Sequence, residues 1–246
     1  MATAQSEMFQ SNNKIGRTVL KWFIHLGLNG LGEMKIIGRE NIPSSGPLLV
    51  VGNHFSFLDP LAVIHVVPWQ LEFIAGAQAP NAPKALGWIR KLWHTIPVNR
   101  GTASRQALLT AQNVLNNGGV LGIFPEGGSW ATVLRPPRPG AAFLAARANA
   151  PILPIGIDGL DRFFKNVRIG KRAPVTIRIG KPFGPYRLDR KNGNPREQLD
   201  QVGHEIMQHI ADLLPEDQRG FYSNDPAIRE AAKGTEIYPW EGLVED

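Results

Sequence analysis

With 246 residues, 43% of them hydrophobic and 20% charged, the chain holds enough apolar material for a buried core, which excludes wholesale disorder. It contains no cysteine, so disulfide scaffolds, thiolate metal sites and thiol nucleophiles are excluded. The net charge of +6 divides unevenly, with 23 Lys+Arg against 9 Asp+Glu over residues 1–194 and 4 against 12 over 195–246; a basic body suits an anionic partner such as nucleic acid, a membrane surface or a phosphorylated substrate.

The first ten residues are polar, and the apolar stretch Thr18–Leu28 is interrupted by Lys21 and His25. That pattern fits neither a secretory signal nor a membrane-spanning helix. Over Lys14–Leu31 the spacing predicts an amphipathic helix. Lys14, Arg17, Lys21 and His25 form one stripe, and Ile15, Val19, Trp22, Phe23, Leu26 and Leu28 cover most of the rest. Such a helix either packs on its own domain or lies in a bilayer interface with its cations at headgroup level.

Beyond it, strands and helices alternate. Strands are predicted at Glu33–Ile37, Leu48–Val51, Leu71–Ala75, Ile96–Val98, Val120–Phe124, Ile152–Ile157 and Val175–Ile179, mostly as short apolar runs of the buried type. Helices are predicted from Asp59-Pro60, over Pro83–Trp93, Ser104–Leu115, Ala141–Ala148 and Arg196–Leu214. The first of these starts on Asp as cap and Pro at the first helical position. The tail after Pro215 lacks a clear period and is expected to wrap the surface or to be partly mobile. The alternation implies an α/β fold with a mostly parallel central sheet covered by helices on both faces, preceded by the N-terminal amphipathic helix. Residues 1–32 form the membrane-associating helix in this scheme, 33–194 the catalytic domain, and 195–246 a C-terminal helix and acidic tail packed on it.

In such sheets the site lies beyond the carboxyl ends of the strands. Three ends deliver candidate groups: Asn53-His54 through Asp59-Pro60, Asn99-Arg100-Gly101, and Pro125-Glu126-Gly127-Gly128. His54 and Asp59 are five residues apart, with Asp59 at a helix start. A carboxylate folding back there can hold one imidazole nitrogen and leave the other to take a proton.

N-H-x-x-x-x-D at Asn53–Asp59, I-P-V-N-R at Ile96–Arg100, F-P-E-G at Phe124–Gly127 and L-P-I at Leu153–Ile155 occur in that order. Together they resemble the four blocks of the glycerolipid acyltransferase family, typified by 1-acylglycerol-3-phosphate acyltransferase, over about Gly38–Gly184. The resemblance implies that His54 is the general base, oriented by Asp59. The acceptor hydroxyl would attack an acyl thioester directly, without an acyl-enzyme, which agrees with the absence of cysteine and of a G-x-S-x-G elbow. Arg100 would inherit an acceptor-phosphate contact. Glu126 and Gly127 match the third block, where the glutamate either serves acceptor binding or is a structural carboxylate in a tight turn. Arg138 is either a further phosphate cation or a solvated loop arginine. Many members carry Thr-Arg-Ser after F-P-E-G, whereas this chain has Gly128-Ser129-Trp130. Arg135 or Arg138 is then the candidate to replace that cation, or the acceptor differs.

The implied partners are an acyl-CoA or acyl-carrier-protein donor, a lysophospholipid acceptor and a membrane surface, placing the protein on the cytoplasmic face of a membrane. No cofactor, metal or nucleic acid is implied. His204 and His209 are five residues apart, about 140° around a helix, and do not make a zinc motif. The basic run Arg162–Lys191 holds ten Lys+Arg and one Asp and reads as charge on loops and one strand face. A thioesterase with water as acceptor, and a non-enzymatic lipid or nucleic-acid binder, are the alternative functions.

Overall fold

The computed structural model describes residues 14–76, 87–93, 95–98, 105–189 and 193–239. Helix α1 (Lys14–Leu31) leads directly into β1 (Gly32–Ile37). Then follow β2 (Leu48–Gly52), α2 (Asp59–Val66), β3 (Glu72–Gly76), α3 (Gly87–Trp93), β4 (Ile96–Val98), α4 (Arg105–Asn116) and β5 (Val120–Ile123). The chain continues through α5 (Pro139–Ala148), β6 (Ile152–Asp158), α6 (Phe163–Arg168), β7 (Ala173–Ile179), α7 (Pro195–Ala211) and α8 (Pro226–Ala232).

The seven strands form one sheet in the order β1-β7-β6-β2-β5-β3-β4. β6, β2, β5, β3 and β4 are parallel to one another, β7 is antiparallel to β6, and β1 is parallel to β7. Every residue of β2 and β5 is buried, as uninterrupted apolar strands in a two-sided sheet require. Alternate side chains enter opposite cores. Leu48 and Val50 pack with Leu20, Ile24, Ala62 and Phe163, whereas Leu49 and Val51 pack with Ala111, Leu144, Ile206 and Ile210. The period-2 pleat thus supplies both layers from one strand. The predicted helix over Pro83–Trp93 is seen from Gly87; its first residues lie outside those described.

Most of the charged stripe of α1 faces the protein: Arg17, Lys21 and His25 turn inward, and Lys14 is exposed. The helix's buried residues are Arg17, Leu20, Ile24 and Leu28, one helical face. Arg17 forks onto the Glu72 carboxylate at the start of β3, with contacts of 2.6 and 3.0 Å, and Lys21 Nζ donates to the carbonyl of Val67 at 2.6 Å. These bonds satisfy a strand end and a helix end, and they commit Arg17 to the interior. The outer face is apolar instead: Ile15 is 82% exposed, Trp22 60%, and Phe23 and Leu26 57% each. These residues recur at helical spacing with Val19 and form one continuous stripe. No helix among the described residues is long and apolar enough to cross a membrane.

Much of the basic run Arg162–Lys191 ties elements together. Arg172 donates to the carbonyl of Asn29 at 2.7 Å, Arg178 to that of Leu213 at 3.3 Å, and Arg187 to the Asn149 side chain at 3.0 Å. Two turns of 3-10 helix and α8 follow α7, and they strap the loop after β5. Leu134 N–H donates to Gln218 at 2.9 Å, and Phe221 N–H donates back to Leu134 at 3.2 Å. Gly220, at φ +50°, is needed there because a Cβ would sit 2.2 Å from the Leu134 carbonyl oxygen.

Candidate active site

β2 and β5 are parallel neighbours, paired from Leu48↔Val120 to Val51↔Ile123, so the segments leaving their carboxyl ends run side by side. Directions reverse here: the chain crosses from β2 over β5 to β3 and later returns to place β6 on the other side of β2. That is the crevice in which open α/β sheets place their sites. Buried Asn53 pins the exit of β2. Its amide donates to the Ile157 carbonyl at 2.8 Å and its carbonyl accepts the Ile157 N–H at 2.7 Å, prolonging the β2–β6 ladder by a side chain.

His54 and Asp59 meet. Nδ1 of His54 lies 3.1 Å from Asp59 Oδ2, which also accepts the Ser56 N–H at 2.7 Å. Asp59 is the first residue within α2 and Leu58 its cap, so the carboxylate folds back over the preceding turn instead of capping. Its side chain is 1% exposed and that of His54 17%. Burial raises the Asp59 carboxyl above the usual range, while His54 and the backbone amides of Ser56 and Phe55 pull it down. A neutral imidazole donating from Nδ1 to this carboxylate carries its lone pair on Nε2. The ring is held flat on Phe124, with centroids 4.4 Å apart and planes 21° apart, and Phe124 in turn stacks on Phe73.

Glu126 fixes the same loop from the other strand. Its Oε1 accepts the backbone N–H of His54 at 2.6 Å, and its Oε2 accepts from Arg135 Nε at 3.0 Å. Burial pushes this carboxyl up to about 7, against the opposing pull of Arg135 and the His54 amide. Arg135 is itself 1% exposed, donates to the Gly128 carbonyl and lies over the Trp130 ring at 3.8 Å. Arg135 is therefore committed to the interior and does not replace the missing third-block cation at the surface. Gly127 turns with φ +78°, and a Cβ there would press on Arg138 Cγ at 3.1 Å, so the turn needs glycine. Arg138 is exposed. With Glu126, Trp130 and Glu236 it lines a cavity of about 220 Å³ beside His54's loop. The C-terminal segment closes one side of that cavity, because Trp130 Nε1 donates to the Thr235 carbonyl at 2.7 Å and its ring meets Tyr238.

Arg100 lies outside the described residues; β4, which precedes it, runs parallel to β3 and ends on the same side of the sheet. His204 and His209 have separate partners, His204 on the Tyr222 hydroxyl at 2.8 Å and His209 stacked on Phe183. Among the described residues no cluster of three or more acidic, histidine or cysteine side chains is arranged to hold a metal. The arrangement as a whole is a buried carboxylate, an imidazole with one nitrogen held and one available, and a second buried carboxylate fixing the loop. It is suited to taking a proton from a hydroxyl, and it contains no nucleophile of its own.

A family model described as acyltransferase matches residues 33–158, just over half the chain. The chain is 24% identical over 183 residues to the 1-acyl-sn-glycerol-3-phosphate acyltransferase of Bacillus subtilis, covering 74% of this chain and 88% of that protein. It is 28% identical over 163 residues to the enzyme of the same name from Borreliella burgdorferi, covering 63% of each. To the human 1-acyl-sn-glycerol-3-phosphate acyltransferase alpha it is 30% identical over 158 residues, covering 61% of this chain and 54% of the human one; the chain thus spans less than two thirds of the latter two relatives. The crystal structure of the 1-acyl-sn-glycerophosphate (LPA) acyltransferase from Thermotoga maritima has the same fold, at a TM-score of 0.54 and 21% identity over 82% of this chain and 85% of that one.

Proposed function

The chain belongs to the acyltransferase family, and from that premise we propose that it moves a fatty acyl group from a thioester donor, acyl-CoA or acyl-carrier protein, to the free hydroxyl of 1-acylglycerol 3-phosphate. The observation that carries this reading is the 3.1 Å contact of His54 Nδ1 with Asp59 at the joined ends of β2 and β5. In the proposed reaction His54 Nε2 takes the acceptor's hydroxyl proton as the oxygen attacks the thioester carbonyl. The tetrahedral intermediate then expels the thiolate, which recovers that proton from the imidazolium, while Asp59 stabilises the charged ring between the two steps. Glu126 holds the His54 amide and so fixes the base's backbone. Arg138, and Arg100 two residues beyond β4 in the sequence, are assigned to the acceptor phosphate. The names of the relatives support lysophosphatidate as acceptor.

One observation favours a second acceptor class: the cavity is lined by Glu236 as well as Arg138, and both signs together also suit a zwitterionic headgroup. An acceptor panel with one labelled acyl thioester tests both. Fastest turnover is expected with lysophosphatidate, one thiol released per lipid formed. Faster turnover with amine-bearing lysolipids would move the assignment to the second class. Free fatty acid appearing equally with and without lysolipid would replace transfer by hydrolysis.

The same proposal puts the protein on the cytoplasmic face of a membrane, and the exposed apolar outer face of α1 supports the membrane contact. Trp22 and Phe23, packed edge to face with ring centroids 5.1 Å apart, are the anchors of this contact. Replacing both by serine is expected to weaken partition to phosphatidylglycerol vesicles by on the order of tenfold or more, since one fully buried apolar side chain is worth about 1.5–3 kcal/mol. Co-sedimentation reads the effect, and unchanged partition would dismiss this face as the contact.

A further inference from the structure

At the opposite end of α2 from Asp59, about 9 Å along the helix axis, lies a larger open cavity of about 410 Å³. Lys21 and His25 reach it from α1, Arg39 from the turn after β1, and His65 from the last turn of α2. Four basic side chains thus meet across one space, and no carboxylate lines it among the described residues.

The carboxyl end of α2 accounts for part of this. Lys21 Nζ bonds the carbonyls of Val67 at 2.6 Å and Pro68 at 3.1 Å, as a cation at a helix C-terminus should. It does not account for the rest. His65 is 4% exposed, and its Nδ1 has no hydrogen-bond partner among the described residues. Buried polar atoms are nearly always paired, so the unpartnered Nδ1 of a residue lining this cavity points to an absent partner. The His25 ring sits against that of His65, with centroids 4.3 Å apart. Its Nδ1 is held by the Lys21 carbonyl at 2.9 Å.

We propose that this cavity is a binding site for a phosphate group, held by Arg39, Lys21 and the His25–His65 pair, and separate from the acyl-transfer site. The electrostatics agree. Burial, and then the charges of His25, Arg39 and Lys21, push His65 down to about 4, and burial lowers Lys21. An anion among them opposes those shifts and favours the charged form of His65. The groups facing His65 in this balance are His25, Lys21 and Arg39, all basic. The phosphate comes either from solution or from a lipid headgroup, because α1 carries Lys21 and His25 on one side and the exposed apolar stripe on another.

Phosphate binding at this cavity can be measured independently of acyl transfer. Calorimetric titration of the full chain with inorganic phosphate is expected to show saturable binding. Arg39→Gln and Lys21→Gln should each lose most of it, whereas Arg138→Gln should keep it. In a second arm, partition to phosphatidylglycerol vesicles is measured with and without inorganic phosphate. If the headgroup is the source, Arg39→Gln lowers partition and phosphate competes with it. If the source is soluble, partition stays unchanged while phosphate affinity falls. The proposal is overturned if both variants, with acyl transfer intact to show that they fold, match the parent protein in both arms, or if phosphate binding disappears in Arg138→Gln instead.

Discussion

Replacing His54 by alanine is expected to lower acyl transfer by about 10²–10⁴-fold, the usual contribution of a general base, while the protein remains folded. The loss should fall on kcat, because the ring acts on the proton in flight and supplies little of the acceptor's binding energy. Asp59→Asn should come close to the same loss by a different route. Asp59 Oδ2 meets both the Ser56 amide at 2.7 Å and His54 Nδ1 at 3.1 Å, so an asparagine that puts its oxygen there keeps the tautomer but removes the charge that stabilises the imidazolium. One that puts its NH₂ there instead forces the ring's proton onto Nε2, the nitrogen that has to be bare. A single-turnover assay with labelled thioester reads both variants, and a thermal melt checks that each is folded. Full activity in His54→Ala would remove the histidine from the chemistry while leaving the family and fold untouched.

The placement of those two residues at a strand end is legible in the amino-acid sequence because local signals agree. Each of the seven strands is a short run with strand signals bounded by turn residues, and His54 and Glu126 follow two such runs directly. Pairing is not legible in the same way. That β2 and β5 are neighbours, so that the His54 amide meets a carboxylate 72 residues away, depends on strand order, which periodicity does not encode. The reversed direction of β7 against β6 is hidden for the same reason. The charges of α1 illustrate a different gap. A helical wheel separates cations from apolar groups but does not say which face turns inward. Here Glu72 and the end of α2 supply partners that draw the cations in. α6 has only six residues, too few to show a period. α8 is readable from its start, where Asp225 caps Pro226 and accepts the Ala227 N–H at 2.8 Å, a signal that needs no periodicity.

The second large effect belongs to Arg135, which the sequence offers only as a candidate surface cation. Glu126 and Arg135 form an ion pair with side chains 0% and 1% exposed, and removing one partner of such a pair typically costs about 3–5 kcal/mol. For Arg135→Met that cost should depend on pH, and the sign follows from the carboxyl. Its folded pKa of about 7 lies above the ordinary value of 4.5. Between those values the native state holds a proton that the unfolded chain has released, so this group's contribution to stability falls as pH rises through the window. Removing the guanidinium raises the folded pKa further and extends the falling limb above 7, at about 1.4 kcal/mol per pH unit. Near pH 6 the carboxyl is neutral in the variant, and the remaining loss is that of the bond to the Gly128 carbonyl and the packing on Trp130, about 1–3 kcal/mol. Near pH 9 a buried carboxylate without its counter-ion adds to this, and the loss should approach the full range. Urea unfolding at the two pH values separates the cases. Adding Glu126→Gln to Arg135→Met removes the titrating group, so the double variant should recover stability at pH 9 and gain little at pH 6. Equal destabilisation at both values would mean that Arg135 acts through packing alone and that Glu126 does not depend on its charge.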